Sequence, residues 1–304
     1  MSTSSRATDP AGLAAPEWDT DGLDWPNRAC SRFVATRTVR WHVQRAGTGP
    51  VLLLLHGTGA ATFTWRHLLP SLAASFTVIA PDLPGHGFSR LRDPDALSCE
   101  GMASALGDLC DALGVAPALG VGHSAGAAVL IRMALDRRLD PAVLLGLAPA
   151  LVPPPPGYRF IAGPLGALVR SPLTARLAAR AGREPAVLRS LLAPTGSALD
   201  RIERAWYARL FTWPAHIAAG LGMMSRWSLP RLVADAPALR QPLVLAAARR
   251  DGFVPFDPLR RVAGTIPAAT FLPLEGVGHL FHEEAPDDAL ALILRVARGH
   301  GVPA

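Results

Sequence analysis

The chain of 304 residues contains no lysine: all 30 of its basic residues are arginine, set against 24 acidic residues for a net charge of +6. A Walker A loop, a pyridoxal Schiff base and a catalytic lysine all need the missing side chain, so those chemistries are excluded. If the chain takes part in an ATP-driven process, the P-loop motor belongs to another protein. A GC-rich genome is the simpler source of the arginine bias. Cysteine is scarce as well. Cys30, Cys99 and Cys110 are odd in number and form no CxxC pair, which suggests neither a disulfide framework nor a zinc site and fits a reducing compartment. Long apolar runs are also missing. The first residues carry no secretory h-region, and a run such as Phe160 to Val169 falls far short of the roughly 20 residues of a membrane-spanning helix. A soluble, cytoplasmic protein is the expectation.

What is present is ample material for a core, with 50% hydrophobic and only 18% charged residues. Residues 1–28 are small, polar and punctuated by proline, and read as a flexible N-terminal arm on which Trp18 and Trp25 are the groups able to dock. From Ser31 to Gln44, rough alternation predicts a strand hairpin. Apolar runs at Val51–Leu55, Thr77–Ala80, Leu119–Gly122, Val143–Leu147, Leu243–Ala247 and Ala269–Leu274 have the look of strands buried on both faces. Helical stretches lie between them, including Cys99–Leu113, Ala125–Leu135 and Asp287–Ala297. Steady alternation of this kind predicts an α/β fold, a mostly parallel sheet with helices on both faces. It breaks between Val152 and about Asp235. The domain reading is therefore a core of 29–150 and 236–304 with an inserted helical cap, 151–235. The insert holds the basicity: 11 arginines stand against Glu184, Asp200, Glu203 and Asp235, a net +7, and the rest of the chain comes to −1.

The central motif is Gly122-His123-Ser124-Ala125-Gly126, a GxSxG that follows an apolar strand and opens a helix. The turn is too sharp for side chains around the serine, which is lifted clear of the sheet, and the Ala125 N–H faces a developing oxyanion. A serine hydroxyl needs a histidine to take its proton and an acid to orient that histidine. Asp251 and His279 follow later strands, in glycine-bearing loops and in the order this architecture requires. His56-Gly57-Thr58-Gly59 supplies the second oxyanion donor, the Thr58 N–H. His56 and His123 read as structural, and His86 in Asp82-Leu83-Pro84-Gly85-His86-Gly87 as a brace for a tight loop. His279 and His282 are three apart with no accompanying carboxylate set, so no metal is expected. No cofactor is implied.

These residues together resemble the α/β-hydrolase fold, from about Trp25 to Arg298, with 151–235 matching that family's cap. Dehalogenase-type and epoxide-hydrolase-type members carry an aspartate at the elbow, and Ser124 disfavours them. A closer resemblance rests on DWPNR (24–28), RWHVQ (40–44), LLLLHGTGA (52–60), DLPGHGFS (82–89) and VGHSAGAAVLIRMAL (121–135). These stretches are similar to the magnesium-chelatase accessory proteins of bacteriochlorophyll biosynthesis. That likeness implies a role at or near the step that inserts Mg²⁺ into protoporphyrin IX, with chelatase subunits or a tetrapyrrole as partners.

Two functions follow from these readings. One is a serine hydrolase acting on an ester or related acyl bond. The other is a non-catalytic protein that keeps the scaffold and holds a porphyrin or assists the chelatase. Trp206, Phe211, Trp213, Met223 and Trp227, with Phe160 and Met224, are candidate walls for an apolar macrocycle bearing carboxylates, rimmed by arginine. Aromatic and methionine residues at helical spacing are usually packing, and an anionic membrane surface would account for the same +7. No nucleic-acid recognition motif accompanies the charge.

Overall fold

The structure, a computed structural model, describes residues 9, 11–153 and 171–304. Among them is a nine-stranded sheet in the order β1-β2-β4-β3-β6-β7-β8-β9, with β5 paired to β2. The hairpin of β1 (Ser31–Ala35) and β2 (Val39–Ala46) is antiparallel, as are the pairings of β2 with β4 and β5. β4 (Thr77–Pro81), β3 (Val51–Leu55), β6 (Leu119–His123), β7 (Val143–Leu147), β8 (Leu243–Ala248) and β9 (Ala269–Leu274) run parallel. β5 is the short pair Arg90–Leu91.

The continuous apolar runs are explained by two cores, one on each face. Side chains alternate along a strand, so Leu53 and Leu55 of β3 enter one cluster while Leu52 and Leu54 enter the other. Helices α1 (Cys99–Leu113) and α2 (Ala125–Leu135) cover the first face, and α9 (Pro286–Gly299) covers the second. α1 starts where Ser98 Oγ accepts the Gly101 N–H, and it ends at Gly114, whose φ of 62° a glycine adopts without penalty. Helix α8 is Phe256–Ala263.

Between β7 and β8 lie α3 (Pro172–Ala181), α4 (Pro185–Leu192), α5 (Arg201–Leu210), α6 (Pro214–Arg226) and α7 (Leu229–Asp235), with no strand among the described residues of this stretch. α5 opens with a capping box formed by Asp200 and Glu203. It is tied to the body through Tyr207, whose hydroxyl donates to Glu283 Oε1 over 2.5 Å. Arg66 bridges the same two regions, at 2.6 Å from Glu283 and 3.0 Å from Glu203. α3 packs on α6 along an alanine seam in which Ala175 and Ala215 meet Leu13 and Ala15.

Within the stretch read as a flexible arm, Trp18 and Trp25 take the docking role open to them. From Leu13 to Arg28 it is packed on the body. Trp25 is buried, and its indole N–H donates to Thr62 Oγ1 over 3.0 Å. Trp18 sits edge-on against Phe33 and Phe88. The polar composition of this stretch conceals a few large apolar groups with partners waiting for them, and two tryptophans outweigh many small residues in buried area.

Candidate active site

Ser124 sits between β6 and α2 with φ 50° and ψ −114°, a backbone shape that non-glycine residues avoid. Surroundings hold it there. Its N–H donates to the Leu147 carbonyl over 2.9 Å, and its own carbonyl accepts the Ala150 N–H at 3.0 Å. The flanking glycines are demanded by close approach. A Cβ on Gly126 would run into the Leu55 carbonyl oxygen, and one on Gly57 would lie 2.8 Å from His123 Nδ1 and 3.1 Å from Ser124 Cβ. The 56–59 loop after β3 therefore lies directly against the elbow.

Asp251 follows β8 and His279 follows β9. His279 Nδ1–H donates to Asp251 Oδ2 over 2.6 Å, with both side chains nearly buried. Asp251 Oδ1 accepts the N–H groups of Phe253 and Val254, at 2.8 and 2.9 Å, so the carboxylate is fixed before it meets the imidazole. His123 reaches across from the elbow and donates from Nε2 to the His279 carbonyl over 3.0 Å. Among the described residues no hydrogen bond joins Ser124 Oγ to His279 Nε2. Such bonds are often long without substrate and tighten on binding.

The 56–59 loop is braced from below and above. His56 donates from Nδ1 to Gly57 O and accepts the Leu83 N–H at Nε2, both over 2.8 Å. That gives His56 the bracing place expected of it. From above, α6 supplies two contacts: Thr58 Oγ1 donates to Met223 Sδ over 3.4 Å, and His216 Nε2–H donates to Gly59 O over 3.2 Å. The other nitrogen of His216 accepts the Gly87 N–H at 3.1 Å, so one imidazole joins α6 to two core loops. The residues before α5 do the same for the loops that carry Asp251 and His279. Pro194 O accepts the Gly252 N–H, Thr195 O accepts the His279 N–H over 2.7 Å, and Ser197 Oγ accepts the Leu280 N–H.

Beneath these loops lies Asp82, fully buried. Oδ1 accepts the Thr62 N–H at 2.7 Å, and Oδ2 accepts Phe88 N–H and His42 Nδ1–H, both at 2.8 Å. Burial works against ionisation, but the facing His42, His56 and the Phe88 N–H bring its pKa down to about 2. On four buried histidines burial is the largest influence and wins over the groups that oppose it. Burial pushes His216 down to about 4, against the opposing pull of the Gly59 carbonyl, and His282 to about 3, and burial first and neighbouring histidines second hold His86 and His123 well below the usual range. All are neutral at physiological pH. His86 donates from Nδ1 to Pro84 O at 3.1 Å, inside the tight loop it was expected to brace.

The expected cap residues divide. Met223 touches Thr58, and the Phe211 ring lies over Gly59. Trp206 and Trp213 instead pack, edge-on or stacked, against Trp25, Phe63 and Phe88, so their surfaces go into holding the N-terminal segment and the core loops together. Trp227 packs against the core cluster that contains α2. Phe160 lies outside the described residues. Three groups escaped the sequence reading: His216, Asp82 as a hub, and the 194–197 brace. His216 is a lone histidine in an apolar helix with no motif around it. Asp82 lay in a noted motif, but nothing local marks its distant partners. Among the described residues no group of three or more His, Cys, Asp or Glu is placed to hold a metal ion, and no helix is long and apolar enough to cross a membrane.

A mostly parallel sheet covered on both faces, a strained serine between strand and helix, and strand-end loops gathered around it define an alpha/beta hydrolase. Residues 52–292 match the alpha/beta hydrolase family, and the chain belongs to it. It is 38% identical over 278 residues to the magnesium-chelatase 30 kDa subunit of Rhodobacter capsulatus, covering 89% of this chain and 95% of that protein. The closer resemblance read from the sequence is thus borne out. Epoxide hydrolase 3 of Siraitia grosvenorii is 35% identical, over 43% of this chain and 42% of that protein. Among solved structures, an alpha/beta hydrolase fold protein from Burkholderia ambifaria superposes with a TM-score of 0.74 at 24% identity, covering 88% of this chain and 97% of that one.

Proposed function

We propose that the protein is a serine hydrolase acting on an ester or related acyl bond at or near the magnesium-chelatase step of bacteriochlorophyll biosynthesis. Ser124 attacks the acyl carbon, His279 takes its proton and returns it to the leaving group, and Asp251 holds His279 in the productive tautomer. The N–H groups of Thr58 and Ala125 receive the oxyanion, each worth on the order of a hundredfold in rate. The observation that carries this reading is the 2.6 Å bond from His279 to a carboxylate already fixed by two N–H groups, beside a serine held at positive φ. A scaffold kept only for binding has no use for that arrangement. The 38% identical relative named as a magnesium-chelatase subunit supports the pathway setting, with chelatase subunits as partners and a tetrapyrrole ester as substrate class.

The test is labelling with a fluorophosphonate probe, read by intact mass and peptide mapping, with Ser124→Ala as control. Covalent modification at Ser124, lost in the variant, is the expected result. Folded protein that takes no label rejects the hydrolase and favours the second reading, a binding protein on the same scaffold. The absence of a Ser124–His279 hydrogen bond is the observation on that side.

A further inference from the structure

Helix α3, Pro172–Ala181, turns Ala175 and Ala179 inward and leaves the opposite stripe in solvent. That stripe reads Leu173, Arg176, Leu177, Arg180, at the i, i+3, i+4, i+7 spacing of one helix face. Leu173 is 61% exposed and Leu177 59%, which makes them neighbours on a face with no apolar partner among the described residues. The arginines beside them are exposed as well. Arg176 gives one hydrogen bond to the Gly12 carbonyl, and Arg180 and the adjoining Arg183 form no ion pair among the described residues. From Ser171 to Leu192 four arginines stand against Glu184 alone.

We infer that this face of α3 docks the protein on an anionic phospholipid surface. Charge complementarity alone would admit an acidic protein, but the alternation of leucine with arginine selects the bilayer. Against an acidic protein surface the guanidinium groups find partners while both leucines stay against polar atoms. At a membrane interface the two are satisfied together, the arginines at headgroup phosphates and the leucines at the acyl boundary just below. The inner face of α3 rests on α6, which carries His216 and Met223, so docking would place the cap against the membrane with the catalytic loops directly behind it. The inference stands whether or not Ser124 turns over a substrate.

The test is co-sedimentation of the full chain with large vesicles of phosphatidylcholine, with and without phosphatidylglycerol, at low and high salt. Binding is expected to the anionic vesicles, released by salt. It should weaken at least about tenfold in Leu173→Gln/Leu177→Gln and in Arg176→Gln/Arg180→Gln. Unchanged circular dichroism and thermal midpoints in both variants show that the fold is intact, because the side chains replaced are exposed. Failure of the natural chain to bind anionic vesicles overturns the assignment and returns the face to an acidic protein partner. Equal binding by the leucine variant, or equal binding to neutral vesicles, overturns it too.

Discussion

At the carboxyl edge of the sheet, polar groups are buried, neutral or paired, and fixed by backbone hydrogen bonds. On the outer stripe of α3, charged and apolar groups face water side by side and bond to almost nothing. The first region has one geometry available to it. Ser124 keeps its positive φ because glycines at 57 and 126 let neighbours close in, and His279, Asp251 and the 56–59 loop are each held at two or more points. The second region is free to change without cost to the fold. The chemistry proposed for the first depends on tenths of an ångström, and the docking proposed for the second on charge and surface area.

Substitutions that ask the two regions to trade behaviour sharpen this contrast. The largest effect is expected at the edge. Asp251→Asn keeps the shape but loses the carboxylate that holds His279, and kcat for an ester substrate should fall on the order of 10⁴-fold with KM little changed, as steady-state kinetics would show. Next comes Arg66→Ala, which strands Glu203 and Glu283 where the cap meets the body. Urea unfolding should show a loss of about 3 kcal/mol.

Acid should also discriminate. His216 and His282 stay neutral in the folded protein down to about pH 4 and 3, but take a proton near pH 6.5 once unfolded. Below pH 6.5 the unfolded chain binds more protons, so stability falls as pH falls, by about 1.4 kcal/mol per pH unit for each histidine until its folded pKa is reached. Urea midpoints at pH 7.5, 6 and 5 test this. His216→Gln should flatten the slope by one proton, whereas Arg180→Gln should leave it unaltered. The smallest effect belongs to the outer stripe, where Leu177→Gln should shift stability by no more than about 0.5 kcal/mol. A larger shift would mean that the stripe is less free than it looks.

The same contrast explains what the sequence could and could not reveal. The strand runs from Val51–Leu55 to Leu243–Ala247 were legible because burial on both faces favours apolar residues, whereas Ala269–Leu274, expected to be buried on both faces, is an edge strand only half-buried. The elbow was legible because its strain demands glycine at fixed offsets. Ser124, Asp251 and His279 could be picked out because each follows a strand, and strand order carried them to one edge. Contacts that join distant segments leave no local trace. The Tyr207–Glu283 bond, the Pro194 to Ser197 brace and the His216 clamp each link ordinary residues far apart in the chain. The N-terminal segment was legible only in part: its average polarity said arm, while Trp18 and Trp25, with Leu13 and Ala15, dock it on the body.

For the proposed hydrolase, the bonds that join Thr195 to His279, Pro194 to Gly252 and His216 to Gly59 would have a consequence for the sequence of events during turnover. A lid that merely covers a site can open without disturbing it. Here the segment between β7 and β8 is part of the scaffolding of His279, of the loop that carries Asp251 and of the 56–59 loop. Lifting α6 or the 194–197 segment would disassemble the machinery for as long as the entrance stood open. Reaction would then begin only after re-closure over the bound substrate, and water entering an open site would meet no organised attack. The cap would thus set the order of steps, admission first and competence second, and an ester bond would be cut only in a closed chamber.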